Sequence, residues 1–239
     1  MFSPIRRSAD CVPAAFPPQS RCELLALSEE DPPLLVPHVI DSSGRTEREY
    51  DIWSRLLADR IVMCSGEIEE EMASSICAQL LYLASDDPKA EIAIYVNGVG
   101  GSVTDGLAII DTMRALPCSV ATYVVGCAPS MSSMIAACGT KGRRFATRNA
   151  WHMMHQGRIG GVIEGQVTDL EIEARHMQAL EERCNLLYAE VTDKSLAQIT
   201  QDCDRDRWLN ADEMLEYGLI DSIIERVPVH KQSQPHLHL

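Results

Sequence analysis

Ser130 follows an apolar, strand-like run (Val120 to Val125) and opens Ser130 to Cys138, a stretch patterned as a buried helix. His155 stands 25 positions further on, after a second short apolar run. Around the serine, Gly126, Ala128, Pro129 and Ser132 are small and leave the backbone room for a sharp turn. A serine at a strand-to-helix junction suits nucleophilic chemistry, because the helix N-terminus offers free N–H groups and a positive dipole end to the negative oxygen of a tetrahedral intermediate. Serine is also a preferred helix N-cap, so the position has a purely structural reading too. A nucleophile needs a base and a group that orients the base. Asp206, in DCDRDRWLNADEMLEYGLID and 51 positions beyond His155, is the acidic candidate. The G-x-S-x-G elbow of α/β-hydrolases is absent, since Ala128 and Ser132 hold its glycine positions. Spacing alone leaves open whether the three residues meet.

Other residues offer competing chemistry. Cys127, three positions before the serine, is an alternative thiol nucleophile. The nine cysteines are odd in number, lack C-x-x-C pairs and sit mostly in apolar runs. They read as small core residues of a reducing compartment rather than as disulfides or a zinc site. His152 and His155 form H-x-x-H, but at a strand end that spacing points the rings to opposite faces, and no carboxylate or cysteine completes a metal set nearby. Gly157, Gly160, Gly161 and Gly165 precede a long helical segment without the lysine-serine or lysine-threonine pair of a phosphate loop. They read as backbone free to pair with substrate or with another copy.

The elements that must position these residues follow from patterning. Short apolar runs alternate with helical ones: strands over Arg60–Cys64, Glu91–Val96 and Cys118–Val125, helices over Glu69–Ala84, Val103–Leu116 and Ser130–Cys138. That alternation predicts an α/β fold with parallel strands and crossover helices. Val167–Val191 is a long helix with one narrow apolar stripe through Leu170, Ala174, Met177, Leu180, Cys184, Leu187 and Val191. A helix of this length in a chain of 239 residues is expected to project. Residues 1–34 hold six of the twelve prolines and read as a disordered extension. Within them the first 22 residues carry three arginines (Arg6, Arg7, Arg21) against one acid (Asp10), which fits a transit segment, a bacterial extension or a propeptide. The last residues, 228–239, read as a flexible tail. A net charge of −14 argues against a nucleic-acid surface, and no apolar run approaches the ~20 residues that span a bilayer.

From about Leu35 to Ile224 the chain resembles the proteolytic subunit of the Clp protease (ClpP), a family of self-compartmentalised serine peptidases. The resemblance is carried by YDIWSRLLADRIVMCSGEIEEEMA, IAIYVNGVGGSVTDGLAIIDTM, GCAPSMSSMIAACGTKGRRFATRNAWHMMHQ, GQVTDLEIEAR and DRDRWLNADEMLEYGLID, in that order. It implies a ClpP/crotonase-like superhelix of ββα turns with a projecting handle helix, in a peptidase domain over 35–227. It places the nucleophile on Ser130, the base on His155 and the orienting carboxylate on Asp206. The oxyanion hole falls on the backbone N–H groups of Gly101 and Met131, and no metal or organic cofactor is needed. The implied partners are unfolded polypeptide, a hexameric Clp AAA+ ATPase, and further copies or paralogues in two stacked heptameric rings. The implied location is the cytoplasm, or an organelle stroma or matrix if the extension is a transit segment.

The chain departs from the family pattern in places. It has Gly98-Val99-Gly100-Gly101 for Ser-Pro-Gly-Gly, Pro129 for alanine, Ser132 for glycine, and Gly157 for proline before a longer handle loop. Ala115 stands for an aromatic of the ATPase-docking pocket, whereas Tyr95 is kept. Two alternatives follow: a catalytically silent subunit of a mixed ring, and a crotonase-type acyl-CoA enzyme. The Ser/His/Asp set, the handle segment and the acidic, lysine-poor composition count against the second.

Overall fold

The computed structural model describes residues 36–41, 48–158 and 164–226. The expected N-terminal extension and C-terminal tail lie outside them, as do Gly160 and Gly161. In chain order the elements are β1 (His38–Asp41), β2 (Arg48–Asp51), α1 (Ile52–Ala58), β3 (Ile61–Ile68), α2 (Glu70–Asp86), β4 (Ile92–Gly101), α3 (Val103–Ala115), β5 (Val120–Val124), β6 (Cys127–Pro129), α4 (Met131–Ala137), β7 (Arg144–Thr147), β8 (Trp151–Met154), α5 (Val167–Thr192), α6 (Leu196–Asp202), β9 (Arg207–Asn210), α7 (Ala211–Tyr217) and β10 (Ser222–Ile224).

Side-chain alternation along the central strands sets the layers. Ile92, Ile94 and Val96 of β4 and Val120 and Val124 of β5 face a core shared with α2, α3 and α4. The intervening Ala93, Tyr95, Ala121 and Tyr123 face the other side. There Tyr95 stacks on Tyr123, and Tyr123 on Phe145, each with ring centroids 4.9 Å apart. The helices complete the first core with stripes at helical spacing: Ala73, Ile76, Leu80 and Leu83 on α2, and Gly106, Ile109, Ile110 and Met113 on α3.

The large sheet has the order β10-β7-β5-β4-β3 and is parallel throughout. A second sheet, β6-β8-β9, joins a parallel pair to an antiparallel one. Consecutive strands therefore part company: β5 enters the large sheet, β6 the small one, and α4 follows. The pattern repeats with β7, β8 and α5. These are the ββα turns implied by the resemblance, and the two small-sheet strands carry the chain to Ser130 and His155.

The expected boundaries shift by a few residues, and three of the shifts have a local reason. Arg60 is not in β3: it sits at φ 62° with its guanidinium donating to the carbonyls of Asp87, Ala90 and Glu91. Strand β4 runs on to Gly101, because past a bulge at Gly66/Glu67 the end of β3 keeps pairing with it. Ser130 lies just outside α4, at its N-cap.

Candidate active site

Ser130 has φ 56° and ψ −127°, a conformation that L-residues adopt only under constraint. Several ties hold it there. Its N–H donates to the Met153 carbonyl of β8 at 2.8 Å, and its own carbonyl accepts from Met134 at 3.2 Å as α4 begins. Pro129 does not interrupt β6: the residue paired with Met153 needs no N–H on an edge strand, and Ser130 makes the bond to β8 instead. Ser132, in place of the family's glycine, is fully buried and accepts from the Gly100 N–H at 3.2 Å, fastening α4 to the end of β4. Room for that hydroxyl comes from Gly98, where a Cβ would lie 2.7 Å from Ser132 Oγ.

His155 leaves the end of β8 and brings Nε2 to 2.9 Å from Ser130 Oγ. To accept the hydroxyl proton at Nε2 the neutral ring must carry its own proton on Nδ1. Burial, helped by the nearby Arg158 charge and opposed by Asp206, holds the His155 pKa below the ordinary histidine value, which keeps the ring free to act as a base. Asp206, between α6 and β9, comes within 3.8 Å of Nδ1, too far for a hydrogen bond. Its carboxylate is held instead by the Arg158 guanidinium, which lowers the Asp206 pKa. So the structure brings Ser130 and His155 into contact and leaves Asp206 one step outside.

The serine opens onto a cavity of about 200 Å³ that Gly101 and Met131 also line. Met131 is the first residue of α4, where N–H groups have no partner within the helix. The Gly100 N–H is engaged by Ser132, while Gly101 remains at the cavity wall. Both residues implied for the oxyanion hole thus line the cavity onto which the serine opens. Cys127 does not line this cavity, and burial raises its thiol pKa, which disfavours the thiolate a nucleophile needs.

Two features were not anticipated from the sequence. The stripe of α5, a helix expected to project, turns Met177, Leu180 and Cys184 into the serine's cavity. Earlier on the stripe, Ala174 is exposed and Leu170 half-buried. The other is a buried hydrogen-bonded chain behind α4: Tyr188 donates to Ser133 Oγ at 3.0 Å, and Ser133 Oγ lies 2.9 Å from His152 Nδ1. His152 thus points into the core while His155 points to the serine, the opposite faces expected of H-x-x-H at a strand end. Burial pushes the His152 pKa down to about 3.

That shift has a measurable consequence. Below pH ~6.5 the unfolded chain protonates this histidine while the native state does not, so stability falls with pH until the folded pKa near 3 is passed. One proton gives a slope of about 1.4 kcal/mol per pH unit. His152→Val is therefore expected to flatten the decline in melting temperature between pH 6 and 4.5, a window set as roughly above most carboxylate titrations. Parallel melting curves of the two proteins would count against a neutral buried His152.

A strained serine on a strand–helix elbow, with an imidazole on its oxygen and backbone amides beside it, is an arrangement suited to hydrolysis through a covalent acyl intermediate. A family model described as Clp protease matches residues 44–227. The chain is similar to the ATP-dependent Clp protease proteolytic subunits of Lactococcus lactis subsp. cremoris (strain SK11) and Lactococcus lactis subsp. lactis (strain IL1403). Each is 49% identical over 192 residues, which is 80% of this chain and 96% of the relative. The chain belongs to the Clp protease family and is a peptidase, a hydrolase of peptide bonds.

Proposed function

We propose that this chain is the proteolytic subunit of an ATP-dependent Clp protease, a serine endopeptidase that cuts unfolded polypeptides into short peptides. The observation that carries the mechanism is the 2.9 Å contact between His155 Nε2 and Ser130 Oγ. His155 takes the hydroxyl proton as Ser130 Oγ attacks the peptide carbonyl, and the Gly101 and Met131 N–H groups receive the oxyanion. The imidazolium then protonates the departing amine, and water repeats the sequence to release the acyl group. Asp206 turns onto Nδ1 and stabilises the imidazolium. This contact also favours an active subunit over a silent one.

On this reading residues 35–227 form the peptidase domain, 1–34 an extension that is trimmed, and 228–239 a tail. Two heptameric rings, of this chain alone or with paralogues, enclose the sites in the cytoplasm. The exposed first turns of α5 support a contact between copies. Among the described residues no helix is long and apolar enough to cross a membrane.

A closed chamber excludes folded proteins, so the purified subunit is expected to cut short fluorogenic peptides but to degrade a folded protein only with a Clp ATPase and ATP. ATP-independent degradation of folded substrate would rule out the chamber. Failure of the serine to react with a fluorophosphonate would rule out the serine mechanism.

A further inference from the structure

His155 Nδ1 is buried without a hydrogen-bond partner, although a carboxylate stands 3.8 Å away. The oxygen nearest to it, Asp206 Oδ1, is the one that Arg158 holds. The two donors thus compete for one acceptor atom, and in this structure the guanidinium has it.

The competitor is placed to be released. Arg158 is 65% exposed and Asp206 42%, so the pair is solvated, weak and free to exchange. Arg158 also lines the cavity onto which Ser130 opens. The rest of that lining is largely apolar (Met131, Met134, Met177, Leu180), with Glu181 on α5 as its charged group of opposite sign. An anion in the cavity is repelled by Glu181 and attracted by Arg158. A peptide carrying an acidic group near the scissile bond would give Arg158 a second carboxylate of the same planar geometry.

We propose that Arg158 is a specificity-determining residue that exchanges Asp206 for an acidic group of the substrate, and that the exchange frees Asp206 to take the His155 Nδ1–H. The proposal rests on the serine-peptidase reading of Ser130, His155 and Asp206. It makes alignment of the catalytic groups dependent on what occupies the cavity, so the preference falls on kcat as well as KM.

The test uses the full-length protein and fluorogenic peptides of one length, neutral or carrying a single Glu scanned through the three residues on each side of the cleaved bond. Arg158→Gln and Arg158→Lys are compared with the wild type. At one position Glu should raise wild-type kcat by about tenfold, the scale of one charge-assisted hydrogen bond. Arg158→Gln should lose this preference and cut the neutral peptide faster than the wild type, because Asp206 is no longer held. Arg158→Lys should retain part of the preference. The acid limb of the kcat/KM profile should also move up in pH in Arg158→Gln, since the guanidinium depresses the His155 pKa and Asp206 raises it. Ser130, Glu181, Cys184 and Tyr188, which also border the cavity, are unchanged in the comparison.

Equal turnover of neutral and acidic peptides by the wild type, or an unchanged preference and pH profile in Arg158→Gln, would overturn the proposal while leaving the serine mechanism standing. Absence of fluorophosphonate labelling at Ser130 in every variant would instead remove the serine mechanism and this proposal with it.

Discussion

Ser130→Ala is expected to lower peptide turnover by roughly three to six orders of magnitude, the loss seen when a triad nucleophile is removed. The remaining backbone should change little. The ties that hold position 130, from its N–H to Met153 and from Met134 to its carbonyl, are main-chain bonds that alanine keeps. What disappears is the Oγ contact to His155 Nε2, a part-buried bond worth about 1 kcal/mol. The variant should therefore melt within a few degrees of the wild type and assemble normally. Residual turnover near the wild-type rate would reopen Cys127, and a Ser130→Ala, Cys127→Ala double variant would then show whether the thiol acts. Against that outcome stand the raised Cys127 pKa and its absence from the cavity wall.

The positions most legible in the sequence were those fixed by local chemistry. Helices α2 and α3 announce themselves through apolar residues at helical spacing, and their observed bounds, Glu70–Asp86 and Val103–Ala115, fall within two residues of those expected. Ser130 stood out through its small neighbours and the helix after it. The assignment of successive strands to two sheets was not legible from periodicity, because β6 and β8 have only three and four residues, too few to reveal a partner. Resemblance supplied that topology.

Side-chain direction escaped both routes. Met177 and Leu180 lie on the α5 stripe, and only the packing of α5 near α4 turns them toward Ser130. Arg158 was hidden for a different reason: an exposed arginine in a glycine-bearing loop carries no pattern. Its meaning depends on the Asp206 oxygen it meets from 48 residues away.

Gly100→Ala is expected to disable the site from the opposite direction, by pushing on the nucleophile rather than deleting it. Gly100 has φ 90°, and a Cβ there would lie 2.6 Å from Ser130 Cβ, 3.0 Å from the Pro129 carbonyl oxygen and 3.2 Å from Ser130 Oγ. The first two are parts of the backbone-anchored elbow, not the far end of a flexible side chain, so relief requires the elbow to move. Ser130 is already held in a strained conformation, and displacing it by a few tenths of an ångström lengthens the contact with His155. A misplacement of ~1 Å at reacting atoms can cost about 100-fold in rate, so a loss of roughly 10- to 100-fold in kcat is expected. Positive φ alone also destabilises an alanine, and a control separates the two effects. Gly142 has φ 86° with nothing within 4 Å of its hypothetical Cβ. Gly142→Ala should therefore lower the melting temperature through strain of the order of 1–2 kcal/mol and leave kcat intact. Gly100→Ala should lower both. If the two variants lose similar stability and both keep wild-type kcat, the close packing of the β4 end against Ser130 does not govern catalysis, and the glycine is required there only by its backbone angle.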